Sequence, residues 1–140
     1  MKTWELFSHM ADIGIRGMGS TEAEAFEMGA VALTAVISDP SAVRKTEKLH
    51  ITCRAHDLEY LFYDWINSLI YEMDVRKMLF GSFDLIISAD GELGLEADVY
   101  GEAADRERHH PAVLVKGATL TELCVKKQNG QWVAQCIVDV

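Results

Sequence analysis

The stretch FSHMADIGIRGMG, residues 7–19, sets His9 and Asp12 between two apolar runs, Trp4 to Phe7 and Ile13 to Met18. Asp favours turns because its side chain bonds its own backbone two residues on, so the stretch reads as two short strands joined by a turn. A metal or catalytic site would also account for a titratable ring and a carboxylate at this position. After Gly17 and Gly19 the alternation gives way to helical spacing. Phe26, Ala30, Leu33 and Ile37 form one apolar stripe, Thr21 is an N-cap with Glu24 three residues on, and Asp39-Pro40 ends the helix. Glu22, Glu24 and Glu27 favour its N-terminal half electrostatically.

Outward from this unit, residues 41–48 are polar and read as a surface connection. Leu49, Ile51, Cys53 and Ala55 then alternate with polar residues, the period of a half-buried strand. Asp57 opens a second helix, running to about Asp74, whose Leu58, Leu61, Phe62, Trp65, Leu69 and Met73 make a wide apolar stripe. From Leu79 onward the pattern is all-β. A hairpin turns at Asp90-Gly91, residues 105–111 form a polar loop, residues 113–120 and 123–127 are strand-like, and Asn129-Gly130 marks a second hairpin before the last strand. The expectation is a single α+β domain over residues 1–140, two-layered, with a mostly antiparallel sheet and two main helices on one face.

Composition narrows the function. At 140 residues, with 49% hydrophobic and 25% charged residues, the chain has the apolar content of one globular domain. It has no secretory signal and no membrane span, and reads as cytoplasmic. Cys53, Cys124 and Cys136 are odd in number and form no C-x-x-C pair, which points to reduced, buried thiols. The net charge of −9 disfavours direct, tight nucleic-acid binding, because phosphate recognition draws its affinity from a basic stripe. Excess carboxylate suits a divalent cation or a basic protein partner. The glycines at 14, 17 and 19 do not make a phosphate-binding loop.

Asp12 precedes one apolar strand and Asp139 is the penultimate residue of another, next to the carboxylate of Val140. If the first and last strands are neighbours, these oxygens converge into a hard-cation site; if not, they are a turn residue and a solvated terminus. His9, His50, His56, His109 and His110 lack zinc-ligand spacing, although His9 with Asp12, or His109 with Asp105, has the residue types for acid–base work on a phosphate ester. Asp64 and Asn67 lie beside Trp65 on the polar side of the second helix, either as a solvated face or, with exposed Tyr63 and Tyr71, as part of a partner surface.

Taken in order, these residues resemble the archease family. The family's His-Thr-Ala-Asp-Ile-Gly-Ile segment is matched by His9 to Ile15, with Met10 in place of Thr, and its first helix by AEAFEMGAVAL. Its Asp-Trp-Leu-Asn core is matched by Asp64 to Asn67. A Gly-Glu step at Gly101-Glu102, an ERH element at Glu107-Arg108-His109, a Val-Lys step at Val115-Lys116 and an Asp-Ile type terminus at Asp139-Val140 follow. Gly117, Leu120 and Thr121 depart from the family's Lys-Ala-Val-Thr-Tyr-His run.

The resemblance implies a non-catalytic accessory protein of the RtcB-type RNA-splicing ligase. Such a protein promotes guanylylation of the ligase and its multiple turnover in tRNA splicing and RNA repair. It also implies a metal site at Asp12, Asp139 and Val140, holding Ca2+ or alternatively Mg2+ or Mn2+. Roles in activation or partner binding fall, by the same resemblance, to His9, Arg108, His109, Lys116 and Asp64. Two other readings predict different behaviour. A small metal-dependent phosphoesterase would hydrolyse an ester without a partner, and a chaperone-like binding module would protect unrelated clients.

Overall fold

The computed structural model describes residues 1–140. Strands β1 (Thr3–His9) and β2 (Asp12–Gly19) form the expected hairpin, closed by Met10 and Ala11. Met10 takes a left-handed φ of 54° and points almost wholly into solvent. Two-residue hairpin turns favour positive φ because their twist then matches that of the strands.

Helix α1 (Glu22–Ile37) starts where its cap residues require. The Thr21 side chain accepts from the Glu24 N–H at 3.1 Å, and the Glu24 carboxylate accepts in return from the Ser20 N–H at 2.8 Å. A 3-10 turn at Pro40–Ala42 leads to β3 (Glu47–Ala55), and α2 (Leu58–Arg76) follows, capped by Asp57 and ended by Lys77 in the left-handed region. The remaining strands are β4 (Met78–Asp90), β5 (Glu92–Ala103), β6 (Gly117–Ala118), β7 (Cys124–Gln128) and β8 (Gln131–Asp139). A short helix α3 (Arg106–His109) lies within the expected loop.

The α+β class and the antiparallel pairing hold. The strands divide between two sheets, one in the order β1-β2-β8-β6 with β7 also on β8, the other in the order β3-β5-β4. Each helix touches both sheets: α1 lies against β2 and β4, and α2 against β3 and β6. The physical reason lies in α1 itself. Phe26, Ala30 and Leu33 are buried, but so are Ala25, Gly29, Ala32 and Val36, so the helix is covered on more than the single stripe that packs on one layer. Gly17 permits the approach on the β2 side, since a Cβ there would overlap the α1 backbone at Ala25 and Gly29.

One hydrophobic cluster runs through both sheets and helices, with Trp65, Phe26, Phe62 and Phe80 fully buried in it. The Phe26 and Phe62 rings meet edge-on at 5.1 Å, and the Trp65 indole N–H donates to the Phe26 carbonyl at 3.0 Å, locking α2 to α1.

Two local expectations change. Residues 113–120 yield only the two-residue β6. The segment before it is tied at one end to α1, through Ala112 N–H to the Ile37 carbonyl, and at the other to β8, through Lys116 N–H to the Asp139 carbonyl, so no strand runs alongside it. Tyr63 is half-buried against the core rather than exposed, whereas Tyr71 is exposed. Cys53 and Cys136 are buried free thiols, and Cys124 is half-buried.

Candidate metal centre where the second and last strands meet

The β1–β2 hairpin sets His9 opposite Asp12. On the other side of β2, Ile13 pairs with Val138, and the same register carried one step further sets Asp12 opposite Asp139. Asp139 in turn pairs with Gly117 of β6. A single lateral row therefore runs His9, Asp12, Asp139, Gly117 across four strands. Directly opposed residues project to the same side, about 5 Å apart at Cβ.

The neighbouring residues show which side that is. Ile13, Ile15 and Val138 face the core, whereas Arg16 faces away, hydrogen-bonded to Gln135 at 2.9 Å and stacked 4.3 Å from the Phe7 ring centroid. Asp12 and Asp139 share the parity of Arg16 and Gln135, on the outer face. Neither Asp has an ion-pair partner. Lys116 touches Asp139 through its main-chain N–H, which donates to the Asp139 carbonyl at 2.8 Å. Val140 follows with its side chain packed on the core.

Nowhere in the chain do three or more His, Cys, Asp or Glu side chains converge into a metal-holding group. Any ion held here has two carboxylate side chains and main-chain oxygens, the hard donors that calcium and magnesium take, with no thiolate to favour a softer metal.

Arg108 and His109 lie in a separate cluster. His109 is only 4% exposed; its Nδ1 accepts from the Asp105 N–H at 2.8 Å, and its Nε2 donates to Glu102 at 2.9 Å. The acid–base pairing of His109 with Asp105 is therefore corrected: the Asp105 carboxylate caps α3 at the Glu107 N–H, and His109 meets only its main chain. Glu102 also accepts from the Arg44 N–H at 2.8 Å and pairs with Arg108, whose other arm donates to the Ala42 carbonyl at 2.9 Å. The Arg108 guanidinium, followed by the Arg44 N–H, holds the Glu102 carboxyl down to about 2. This is a clasp joining α3 to β5 and the 3-10 turn, and Ser38, the C-cap of α1, extends it by donating to the His109 carbonyl.

The second helix divides its polar residues between two jobs. Asn67 is no solvated residue: its Oδ1 accepts from the Ala118 N–H at 2.9 Å and ties down the β6 edge, while Glu59 does the same for β7 through the Val125 N–H at 3.1 Å. Asp64 faces a cleft of about 580 Å³ between α2 and β3, with His50 and Glu72 on its walls, and burial pushes its carboxyl upward. Sequence reasoning missed Glu59 and the reach of Glu102, since a buried acid in a strand and a tethering acid on a helix look like surface residues in a linear pattern.

The family model described as the Archease protein family matches residues 4–140. The chain belongs to the archease family. It is 38% identical over 142 residues to the Protein archease of Pyrococcus furiosus, each covering the whole of the other. Among solved structures, the solution structure of Methanobacterium thermoautotrophicum Protein 1598 is similar at TM-score 0.88 and 30% identity, with both chains covered completely. The crystal structure of an archease and possible chaperone from Thermotoga maritima has TM-score 0.58 at 18% identity, covering 97% of this chain and 96% of that one, and shares the fold. No helix is long and apolar enough to cross a membrane.

Proposed function

We propose that the chain is a metal-binding accessory protein that activates an RtcB-type RNA ligase, promoting its guanylylation and hence repeated turnover in tRNA splicing and RNA repair. The ligase keeps the covalent chemistry. One observation carries the reading: strand register sets two carboxylates, neither in an ion pair, side by side where β2 meets the last strand, β8. Two like charges directly opposed destabilise a sheet unless a cation joins them.

Asp12 and Asp139, with the carboxylate of Val140, would hold the ion, most readily Ca2+ with Mg2+ or Mn2+ as substitutes. Bound there, a divalent cation supplies positive charge beside phosphate groups at a partner's active site. The chain's residues orient it: the β1–β2 hairpin fixes Asp12, and the Lys116 N–H fixes the Asp139 main chain. The outer-face position leaves the row open to a partner, and His9 lies at its end.

The deciding experiment mixes the purified protein with its host's RNA ligase, GTP and a divalent salt and counts ligations per ligase. The expected result is many turnovers with the wild type and about one with Asp12→Ala or Asp139→Ala, both folded by circular dichroism. Turnover that is unchanged by the protein sinks the reading. Ester hydrolysis without the ligase would favour a phosphoesterase. Protection of unrelated clients from aggregation, indifferent to Asp139→Ala, would favour a chaperone-like module.

A further inference from the structure

Two grooves run together where the last turns of α2 meet residues 111–116. The larger, about 400 Å³, has Ile70, Met73, Met78 and Leu79 in its apolar lining; the smaller, about 360 Å³, adds Tyr71 and Lys116. Ile70, Asp74, Leu114 and Val115 line both. Apolar side chains stand far out on their lips: Leu114 is 70% exposed, Tyr71 63% and Val113 37%. Exposed apolar residues gathered around a concavity mark interaction surfaces.

The charge of the rim is opposite to that of the molecule. Lys77, Arg106 and Lys116 stand against one carboxylate, Asp74, on a chain of net charge −9. Arg106 and Lys116 have no ion-pair partner, and Lys77 reaches Asp74 only at 3.5 Å in solvent. At its Lys116 end the groove adjoins the His9–Asp12–Asp139 row, because the Lys116 N–H donates to the Asp139 carbonyl.

Resting on the activator reading, we propose that this groove is the surface that receives the ligase, taking an apolar segment of it flanked by Asp or Glu. Charge complementarity selects the occupant. An acidic, apolar segment is repelled by most of this molecule's surface and attracted here, which sets its orientation as well as its rate of arrival. A second copy is disfavoured, since a two-fold interface would bring Lys77, Arg106 and Lys116 face to face with themselves. Docked in the groove, the segment lies beside the two carboxylates.

The test measures binding of the full chain to its host's RtcB-type ligase at low and high salt. Leu114→Asp, at an exposed position that the fold does not use, is expected to weaken binding by about tenfold or more, as truncation of a central anchor does. It should also retain the calcium-dependent rise in melting temperature. Tyr71→Glu, on α2, is the independent second variant and should act the same way. Arg106→Glu with Lys116→Glu is expected to slow association by about tenfold at low salt and to remove most of the salt dependence. Wild-type binding with all three variants unimpaired overturns the groove and leaves the activator reading standing. Absence of wild-type binding overturns both. A dimer in sedimentation that Leu114→Asp dissociates would give the groove to self-association and overturn the proposal.

Discussion

The His9–Asp12–Asp139 row and the Glu102–Arg108–His109 clasp draw on the same residue types and treat them in opposite ways. In the clasp every group is matched: Glu102 by Arg108, the Arg44 N–H and His109, and His109 by the Asp105 N–H as well. In the row two carboxylates are opposed by register, and neither is paired with a basic side chain. Matched titratable groups in low-dielectric surroundings hold a fold together, whereas unmatched like charges weaken it until something outside the chain neutralises them. The contrast makes the clasp a structural element and supports the proposal that the row binds an ion, and each half of it can be broken.

Calcium gives the largest expected effect. A ligand that binds only the folded state at one hundred times its Kd stabilises it by about 2.7 kcal/mol. Melting in calcium against melting in chelator should reveal a stabilisation of that order for the wild type and little for Asp139→Asn, which in chelator should melt no lower than the wild type. The clasp variant His109→Ala should retain the calcium response. A wild type indifferent to calcium, magnesium and manganese removes the row's claim to an ion.

The two histidines sharpen the contrast. His109→Ala leaves Glu102 and the Asp105 N–H short of a partner inside the protein, a loss of about 2 kcal/mol in denaturant unfolding. His9→Ala, at the half-exposed end of the hairpin, should stay within about 0.5 kcal/mol. Equal losses would mean that His9 is as structural as His109.

Acid separates the regions next. The Glu102 carboxyl is held at about 2 in the folded chain against an ordinary 4.5, so its stabilisation is complete above 4.5 and is lost as pH falls from there toward 2. Glu102→Gln should flatten the acid limb of the stability curve over that interval, read by circular dichroism at stepped pH. An unchanged limb would show that the clasp is not what holds the fold in acid.

These contrasts also explain what could be read from the chain. The β1–β2 hairpin, both helices and their caps were legible because period, turn residue and capping box each act over a few neighbours: Thr21 with Glu24 and Asp57 with the Tyr60 N–H are local facts. The division into two sheets was not, since which strand pairs with which is decided by long-range contacts such as Ile13 with Val138. The candidate site was half legible. Asp12 and Asp139 stood out as carboxylates at strand ends, and only the register brings them together. Arg108 and His109 were visible as residues, but their role depends on Glu102 and Arg44, which no spacing connects to them.

Asp64 belongs to neither class, and its variant should give the smallest effect. It is a half-buried carboxylate facing a cleft, its carboxyl pushed upward by burial, with no cation beside it. A carboxyl raised in the folded state destabilises the fold as pH climbs through its ordinary range and beyond, because the charged form is the one that burial disfavours. Asp64→Asn should therefore match the wild type in acid and melt slightly higher near neutrality, with the calcium response intact. A lower melting temperature would move Asp64 into the class of Glu102 and His109, matched groups that hold the fold, whereas a lost calcium response would move it into the class proposed for Asp12 and Asp139, with the cleft between α2 and β3 as a second candidate for a cation.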